Sequence, residues 1–195
     1  WGTDVTKHLR GMFAFAIWDA KQKTLFMARD GFGIKPLYYA KFGSSFMFAS
    51  EIKAFLDHPK FKKELNKEIL SSYLCFNSTP TEETFFKGIF KLMPAHCMTY
   101  DVKNGMLNIE RYWEPVFEPD NSKSLDEWVN EIDDAMHDSV KHHKISDVEV
   151  GSFLSSGIDS SYIAEAANVD KTFTVGFDYE KYNEIDYAKA LSEKI

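Results

Sequence analysis

Between Met12 and Ala49 the chain carries short runs in which nearly every position is apolar: Met12 to Trp18, Leu25 to Ala28, Leu37 to Ala40 and Phe46 to Ala49. An alternating strand needs a core on one side only. A strand apolar on both faces must be covered on both, so these runs predict a β meander held inside a layered sandwich. Turn signals at Asp19 to Lys23, at Gly31-Phe32-Gly33 with Pro36, and at Gly43-Ser44 separate the runs. A helix is expected next, capped by Ser50 and running through Ile52, Phe55 and Leu56 towards Pro59. With 195 residues, 44% of them hydrophobic, the chain can build one large or two small domains.

Residues 61–120 read as a joint. Phe61 to Glu64 is a charged linker, and Asn66 is expected to cap a helix carrying Ile69, Leu70, Tyr73 and Leu74. Thr84 to Phe90, Met98 to Val102 and Leu107 to Tyr112 are expected to be extended, with a hairpin turn at Lys103-Asn104-Gly105. The cysteines, Cys75 and Cys97, sit in apolar settings and read as buried, inert thiols, with neither zinc-ligand spacing nor a disulfide framework. His96 has no acid or nucleophile beside it in sequence and reads as structural.

From Ser124 the pattern changes to alternating helix and strand. Ser124 and Glu127 form a capping box, and Leu125, Trp128, Val129, Ile132, Met136 and Val140 fall on one helical face. Lys141 to Lys144 crowd the end of that helix, where its dipole favours cations, and adjacent His142 and His143 point too far apart to share a metal. Val148 to Leu154 then predicts a strand, Ser155-Ser156-Gly157 a turn, and Ile158 to Ala167 a helix. Thr172 to Phe177 predicts a second buried strand, and a helix with Ile185, Ala188 and Leu191 is expected to run to the chain end. Strand, helix, strand implies a parallel sheet with a right-handed crossover, whose ligands bind at the carboxyl ends of the strands. A Ser- and Gly-rich turn there suits a phosphate, because helix-start amides point at it and hydroxyls add donors. No lysine follows Gly157, so this is not the common nucleotide loop. The same residues also suit a plain turn in which Asp159 and Ser160 cap the helix.

Phe153 to Ser161 resembles the SGGxDS loop of the ATP pyrophosphatases, in the version found in asparagine synthetases, with Ser156 where that family usually has its first Gly. Arg10 to Asp19, Arg29 to Tyr39 and Ala49 to Ala54 resemble the closing strands of the class II glutaminase domain of the same family. Arg29, Asp30 and Lys35 within them read as a structural ion pair and turn. Pro94-Ala95-His96 stands where the family usually shows Pro-Gly-His.

The resemblance implies an α/β and α+β chain in three parts. Residues 1–60 would be the C-terminal part of a four-layer (αββα) N-terminal-nucleophile glutaminase domain, 61–120 a connecting region, and 121–195 the start of a parallel-sheet ATP pyrophosphatase domain. It implies ATP contacts at Leu154, Ser155, Gly157, Asp159, Ser160 and Val175, with Asp159 helping to hold Mg²⁺. Aspartate, glutamine or ammonia, and ATP would be the substrates of the parent protein, which would adenylate aspartate, release pyrophosphate and form asparagine. The catalytic cysteine is expected upstream of Trp1 and an acidic Gly-rich element beyond Ile195, leaving no catalytic residue within these 195 residues and the fragment inactive by itself. A related carboxylate-adenylating amide or lactam synthetase and a non-catalytic nucleotide-binding module are the alternatives. A homodimer is compatible with the family. The net charge of −7 argues against a nucleic-acid surface, and the lack of a long apolar run or a signal-like start points to a cytoplasmic, non-membrane protein.

Overall fold

The computed structural model describes residues 1–177 and 183–194, which divide into two compact units, Trp1–Phe117 and Glu118–Ile195. In the first unit a 3₁₀ helix, Gly2–His8, precedes β1 (Ala14–Asp19), β2 (Thr24–Arg29), β3 (Tyr38–Phe42) and β4 (Ser45–Ala49). Then come α1 (Lys53–Leu56), α2 (Leu70–Phe76), β5 (Ile89–Lys91), β6 (His96–Asp101) and β7 (Met106–Arg111). The strands form two antiparallel sheets, β1-β2-β6-β7 and β4-β3-β5.

The expected sandwich is present, and its central layer lies between the sheets. Met27 and Met98 from one sheet meet Tyr39 from the other, with Leu37 and Leu92 completing a buried cluster. One residue along β2 the side chains point the other way, so Phe26 and Ala28 pack with Cys97, Val5, Phe13, Phe15 and Tyr112. On the far side of the second sheet, Phe55 of α1 seals Ala40 and Ile89. Both faces of β2 and β3 are therefore buried, which is why their sequences lack alternation. Edge strand β1 is more open, leaving Ile17 and Trp18 exposed.

The division expected at residue 60 falls inside this unit. β6 inserts between β2 and β7, and β5 pairs with β3, so residues 61–117 are part of the same fold as 1–60. Periodicity reports strands but not the long-range pairing that unites them. Local details also differ. α1 begins at Lys53 with Ile52 at its cap position and no side-chain cap, so Ser50 lies too early to serve. Asn66 accepts the Glu68 amide in a turn, while α2 begins at Leu70. Cys75 is exposed on that short helix, whereas Cys97 is buried.

The loop after β2 is tied down by two adjacent charges, buried Asp30 and half-buried Arg29. Asp30, only 1% exposed, accepts backbone N–H groups from Phe13, Phe32, Ile34 and Lys35. Burial alone would raise its pKa; the four amides outweigh that and hold it below the ordinary carboxylate value. Arg29 donates to the carbonyls of Lys35, Leu92 and Gly33. The expected ion pair is thus a backbone clamp: each charge is satisfied by main-chain groups rather than by the other.

In the second unit, α3 (Leu125–His143) is followed by β8 (Ser152–Phe153), α4 (Ile158–Ala167), β9 (Thr172–Phe173) and α5 (Ile185–Ser192). The capping box forms in full: Ser124 Oγ accepts the Glu127 amide, and the Glu127 carboxylate accepts the Ser124 amide. β8 and β9 pair in parallel, Ser152 with Thr172 and Phe153 with Phe173, and α4 makes the crossover. Leu154, Ala164 and Ala188 form the buried centre. Both strands are shorter than their apolar runs, and Val148, Val175 and Phe177 are exposed. On α3 only Val140 is buried; Leu125, Val129 and Ile132 face solvent. Two paired strands offer the described helices little surface to cover. α5 ends at Ser192 in a turn, and Ile195, the last residue of the helix expected there, lies outside the described residues, as do residues 178–182.

Candidate functional site

β8 ends in a loop that its parallel partner holds in place. The Leu154 amide donates to the Phe173 carbonyl at 2.9 Å, and the Leu154 carbonyl accepts the Thr174 hydroxyl at 2.8 Å. Leu154 itself is 3% exposed and packs in the core, so the residue that opens the loop is fixed by both backbone and side chain. Thr174 belongs to no motif in the sequence, unlike its neighbour Val175. A hydroxyl at the end of a parallel strand was the available signal.

Beyond Leu154 the serines close a ring. Ser160 Oγ donates to the Gly157 carbonyl at 3.0 Å, which uses its one proton, so in the 2.7 Å contact with Ser155 Oγ it is the acceptor. Ser155 Oγ in turn accepts the Gly157 amide at 3.2 Å, and Ser160 Oγ accepts the Ser155 amide at 3.3 Å. Ser161 Oγ adds a bond to the Gly157 carbonyl at 2.7 Å. The structure therefore brings Leu154, Ser155, Gly157 and Ser160 together at one strand end.

Neither Asp159 nor Ser160 caps α4. Gly157 is the N-cap, with φ −75° and ψ 147° and no side-chain cap bond, and the two expected caps lie inside the first turn. An uncapped first turn leaves backbone N–H groups turned outward, the property that suits a helix start to an anion. Gly157 is not needed for a left-handed backbone. A Cβ there would meet Ser155 Oγ at 3.2 Å, so glycine keeps the ring uncrowded. Ser156 is not among the residues with positive φ, so a side chain in place of the family's glycine brings no backbone strain.

Asp159 is exposed in the first turn of α4. Among the described residues no group of three or more His, Cys, Asp or Glu could hold a metal ion. A single carboxylate on a loop with outward backbone amides nevertheless fits Mg²⁺, which takes one or two protein carboxylates and fills its remaining positions with phosphate oxygens and water. Val175 lies two residues past β9 and is 72% exposed, outside the strand expected to bury it.

Glu184 also reaches this loop, from a stretch of sequence that carries no motif. Its Oε2 accepts the Ser156 amide at 3.4 Å. The close packing that brings it there involves Gly176, where a Cβ would lie 2.0 Å from Ile185 Cδ1 and 3.0 Å from Asn183 Oδ1.

The remaining candidates are structural. His96 Nδ1 lies 2.7 Å from the Pro94 carbonyl. The rings of His142 and His143 bond the carbonyls of Asp138 and Ser139 one turn back. Burial pushes the Cys97 thiol up to about 12, with the Glu110 carboxylate adding to it, which makes this sulfur a poor nucleophile.

Residues 1–113 match the family described as glutamine amidotransferase domain, and residues 131–195 match that described as asparagine synthase. Asparagine synthetase [glutamine-hydrolyzing] 3 of Bacillus subtilis is 41% identical over 199 residues, covering 98% of this chain and 32% of the relative. Asparagine synthetase [glutamine-hydrolyzing] 1 of the same organism is 40% identical over 190 residues, covering 95% of this chain and 30% of that relative. The chain spans about a third of the length of the curated relatives it matches.

Proposed function

This chain belongs to the glutamine amidotransferase domain family, and from that membership, joined to the asparagine synthase segment that follows it, we propose that it is part of a glutamine-hydrolysing asparagine synthetase. Residues 1–117 are the C-terminal part of the glutaminase domain, and residues 118–195 open the ATP pyrophosphatase domain. In this reading the parent protein activates the side chain of aspartate as its acyl-adenylate, with release of pyrophosphate, and amidates it with ammonia drawn from glutamine. It works in the cytoplasm, a placement compatible with the finding that no described helix is long and apolar enough to cross a membrane.

The observation that carries the reading is the hydroxyl ring of Ser155 and Ser160 around Gly157 at the uncapped start of α4. A carboxylate acylates poorly until one of its oxygens joins a good leaving group. The protein's task at this loop is to accept the negative charge that gathers on departing pyrophosphate, which the outward N–H groups at the uncapped start of α4 do without reorganising, while the ring holds the loop in shape and its hydroxyls donate only after turning away from one another. Leu154 and Val175 flank the adenosine end, Ser155, Gly157 and Ser160 line the phosphates, and Asp159 offers an oxygen to Mg²⁺. When bound, the cation neutralises phosphate charge.

Pyrophosphate release by the parent protein, followed with ATP and Mg²⁺ in the presence and absence of aspartate, tests the proposal. Release that requires aspartate supports it. Nucleotide binding without release would make the segment a binding module, and release driven by a different carboxylate would reassign the substrate.

A further inference from the structure

Glu184 has no part in the proposed chemistry, and its side chain is exposed, yet the turn that bears it is anchored in the core. It occupies the cap position of α5, where its side chain makes no cap bond to its own helix. One turn on, Ala188, whose amide bonds the Glu184 carbonyl at 3.1 Å, is buried against Leu154 and Ala164. The core that fixes the start of the loop therefore also fixes the turn bearing Glu184. Gly176 tightens the arrangement, since any side chain there would strike Ile185. The carboxylate consequently bonds the Ser156 amide, an N–H of the same loop whose donors suit a phosphate.

We infer that Glu184 is an internal anion: its carboxylate fills the Ser156 end of the loop when no nucleotide is present, and phosphate must displace it. The inference rests on the reading of this loop as the phosphate site. A carboxylate and a phosphate oxygen compete for one amide donor, and at contact distance their like charges repel. The contact thus weakens binding of free phosphate ligands and keeps the loop's donor occupied in the empty site. Ser156 suits this role because its unstrained backbone presents the amide to the side of α5.

The test is a titration of the 195-residue chain with magnesium pyrophosphate, followed by the amide resonances of Ser155 to Ser160. It is run on the natural sequence, Glu184→Gln and Glu184→Ala, with thermal melts to show that the exposed substitutions leave the fold intact. Loss of one unit charge at this separation in water should tighten binding roughly 3- to 10-fold in both variants, and the Ser156 resonance should move in the ligand-free variants. Equal or weaker binding by both variants, with the natural chain binding, overturns the inference and leaves the phosphate loop standing. If pyrophosphate moves none of the loop resonances in any of the three proteins, the loop reading fails and the inference falls with it.

Discussion

Arg29 and Asp30, adjacent in sequence, bind opposite poles of the same stretch of backbone: Arg29 takes the carbonyls of Gly33 and Lys35, and Asp30 takes the amides of Phe32, Ile34 and Lys35. Each also reaches out of the loop, Arg29 to the Leu92 carbonyl and Asp30 to the Phe13 amide. The loop is therefore fastened to the ends of other strands through main-chain groups, whose geometry is insensitive to the side chains they carry. A buried carboxylate would be costly if unpaired, and Asp30 meets four backbone amides, while half-buried Arg29 gives three of its N–H groups to carbonyls.

Asp30→Asn should destabilise the first unit by about 3 kcal/mol, because an amide presents one acceptor oxygen where the carboxylate presents two, leaving two buried N–H groups facing an NH₂. The pH dependence has a definite sign. The folded carboxyl binds its proton more weakly than the unfolded one, so the stabilisation is fully present above the ordinary value near 4 and is lost as the pH falls through the lower folded value. Urea unfolding followed by tryptophan fluorescence should show the natural chain losing stability between pH 5 and 2 more steeply than Asp30→Asn. Parallel pH profiles would assign the acid sensitivity to other carboxyls.

Gly33 is a required glycine on two counts. Its φ is +66°, and a Cβ would lie 2.7 Å from Pro94 Cγ and 3.0 Å from Arg29 Cζ. Gly33→Ala should therefore cost about 2–4 kcal/mol, combining left-handed strain with a forced shift of the clamp. An equilibrium unfolding midpoint within error of the natural chain would show that the loop relaxes freely.

Ala95 occupies the left-handed region too, at φ +61°, and is buried. This explains why the family's usual glycine suits the position and how a departure is tolerated. Relief of strain on Ala95→Gly, about 1 kcal/mol, is nearly offset by loss of a buried methyl, about 0.8 kcal/mol, so the net change should stay within about 1 kcal/mol. Ala95→Val adds a branched side chain to the same backbone and should cost about 2 kcal/mol or more. The two midpoints, measured side by side, separate backbone strain from packing.

The contrast between these loops and the rest shows what a sequence makes legible. Doubly apolar β2 and β3, the Ser124 capping box and the parallel β8-α4-β9 unit follow from local composition and periodicity, which report burial and hydrogen bonding within a few residues. The insertion of β6 between β2 and β7 does not, because pairing partners distant in sequence leave no periodic trace. Asp30 and Arg29 look like an ion pair in one dimension, and only the folded loop shows them binding main chain. Likewise Ser155 and Ser160 are legible as hydroxyls in a turn that suits a phosphate, whereas Thr174 and Glu184 join it through packing after β9 that no motif encodes.

Ser124→Ala removes the side-chain acceptor of the Glu127 amide at the start of α3. The loss should be about 1 kcal/mol for the second unit, since the cap satisfies one of the helix's unpaired N–H groups. Ser124→Asp should retain most of it, because a carboxylate accepts the same bond and suits the helix dipole. Thermal melts monitored by helical circular dichroism rank the three. An alanine variant as stable as the natural chain would mean that α3 frays at this end in solution.

Ser160 and Ser161 both donate to the Gly157 carbonyl, yet only Ser160 is in the ring. Removing the Ser160 hydroxyl takes the acceptor from both the Ser155 amide and the Ser155 hydroxyl, so the loop loses the ring that fixes its shape, and one hydroxyl that could turn to a phosphate is gone. A hydrogen bond to a charged group is worth about 1.5–3 kcal/mol, so Ser160→Ala should weaken magnesium pyrophosphate binding about 10-fold or more. Ser161→Ala leaves the ring closed and should change affinity less than about 2-fold by the same reckoning. The pair is informative because both lose one hydroxyl from the same carbonyl, so equal effects would trace binding to the helix start alone, and a larger effect at Ser161 would place the phosphate on the other side of the turn.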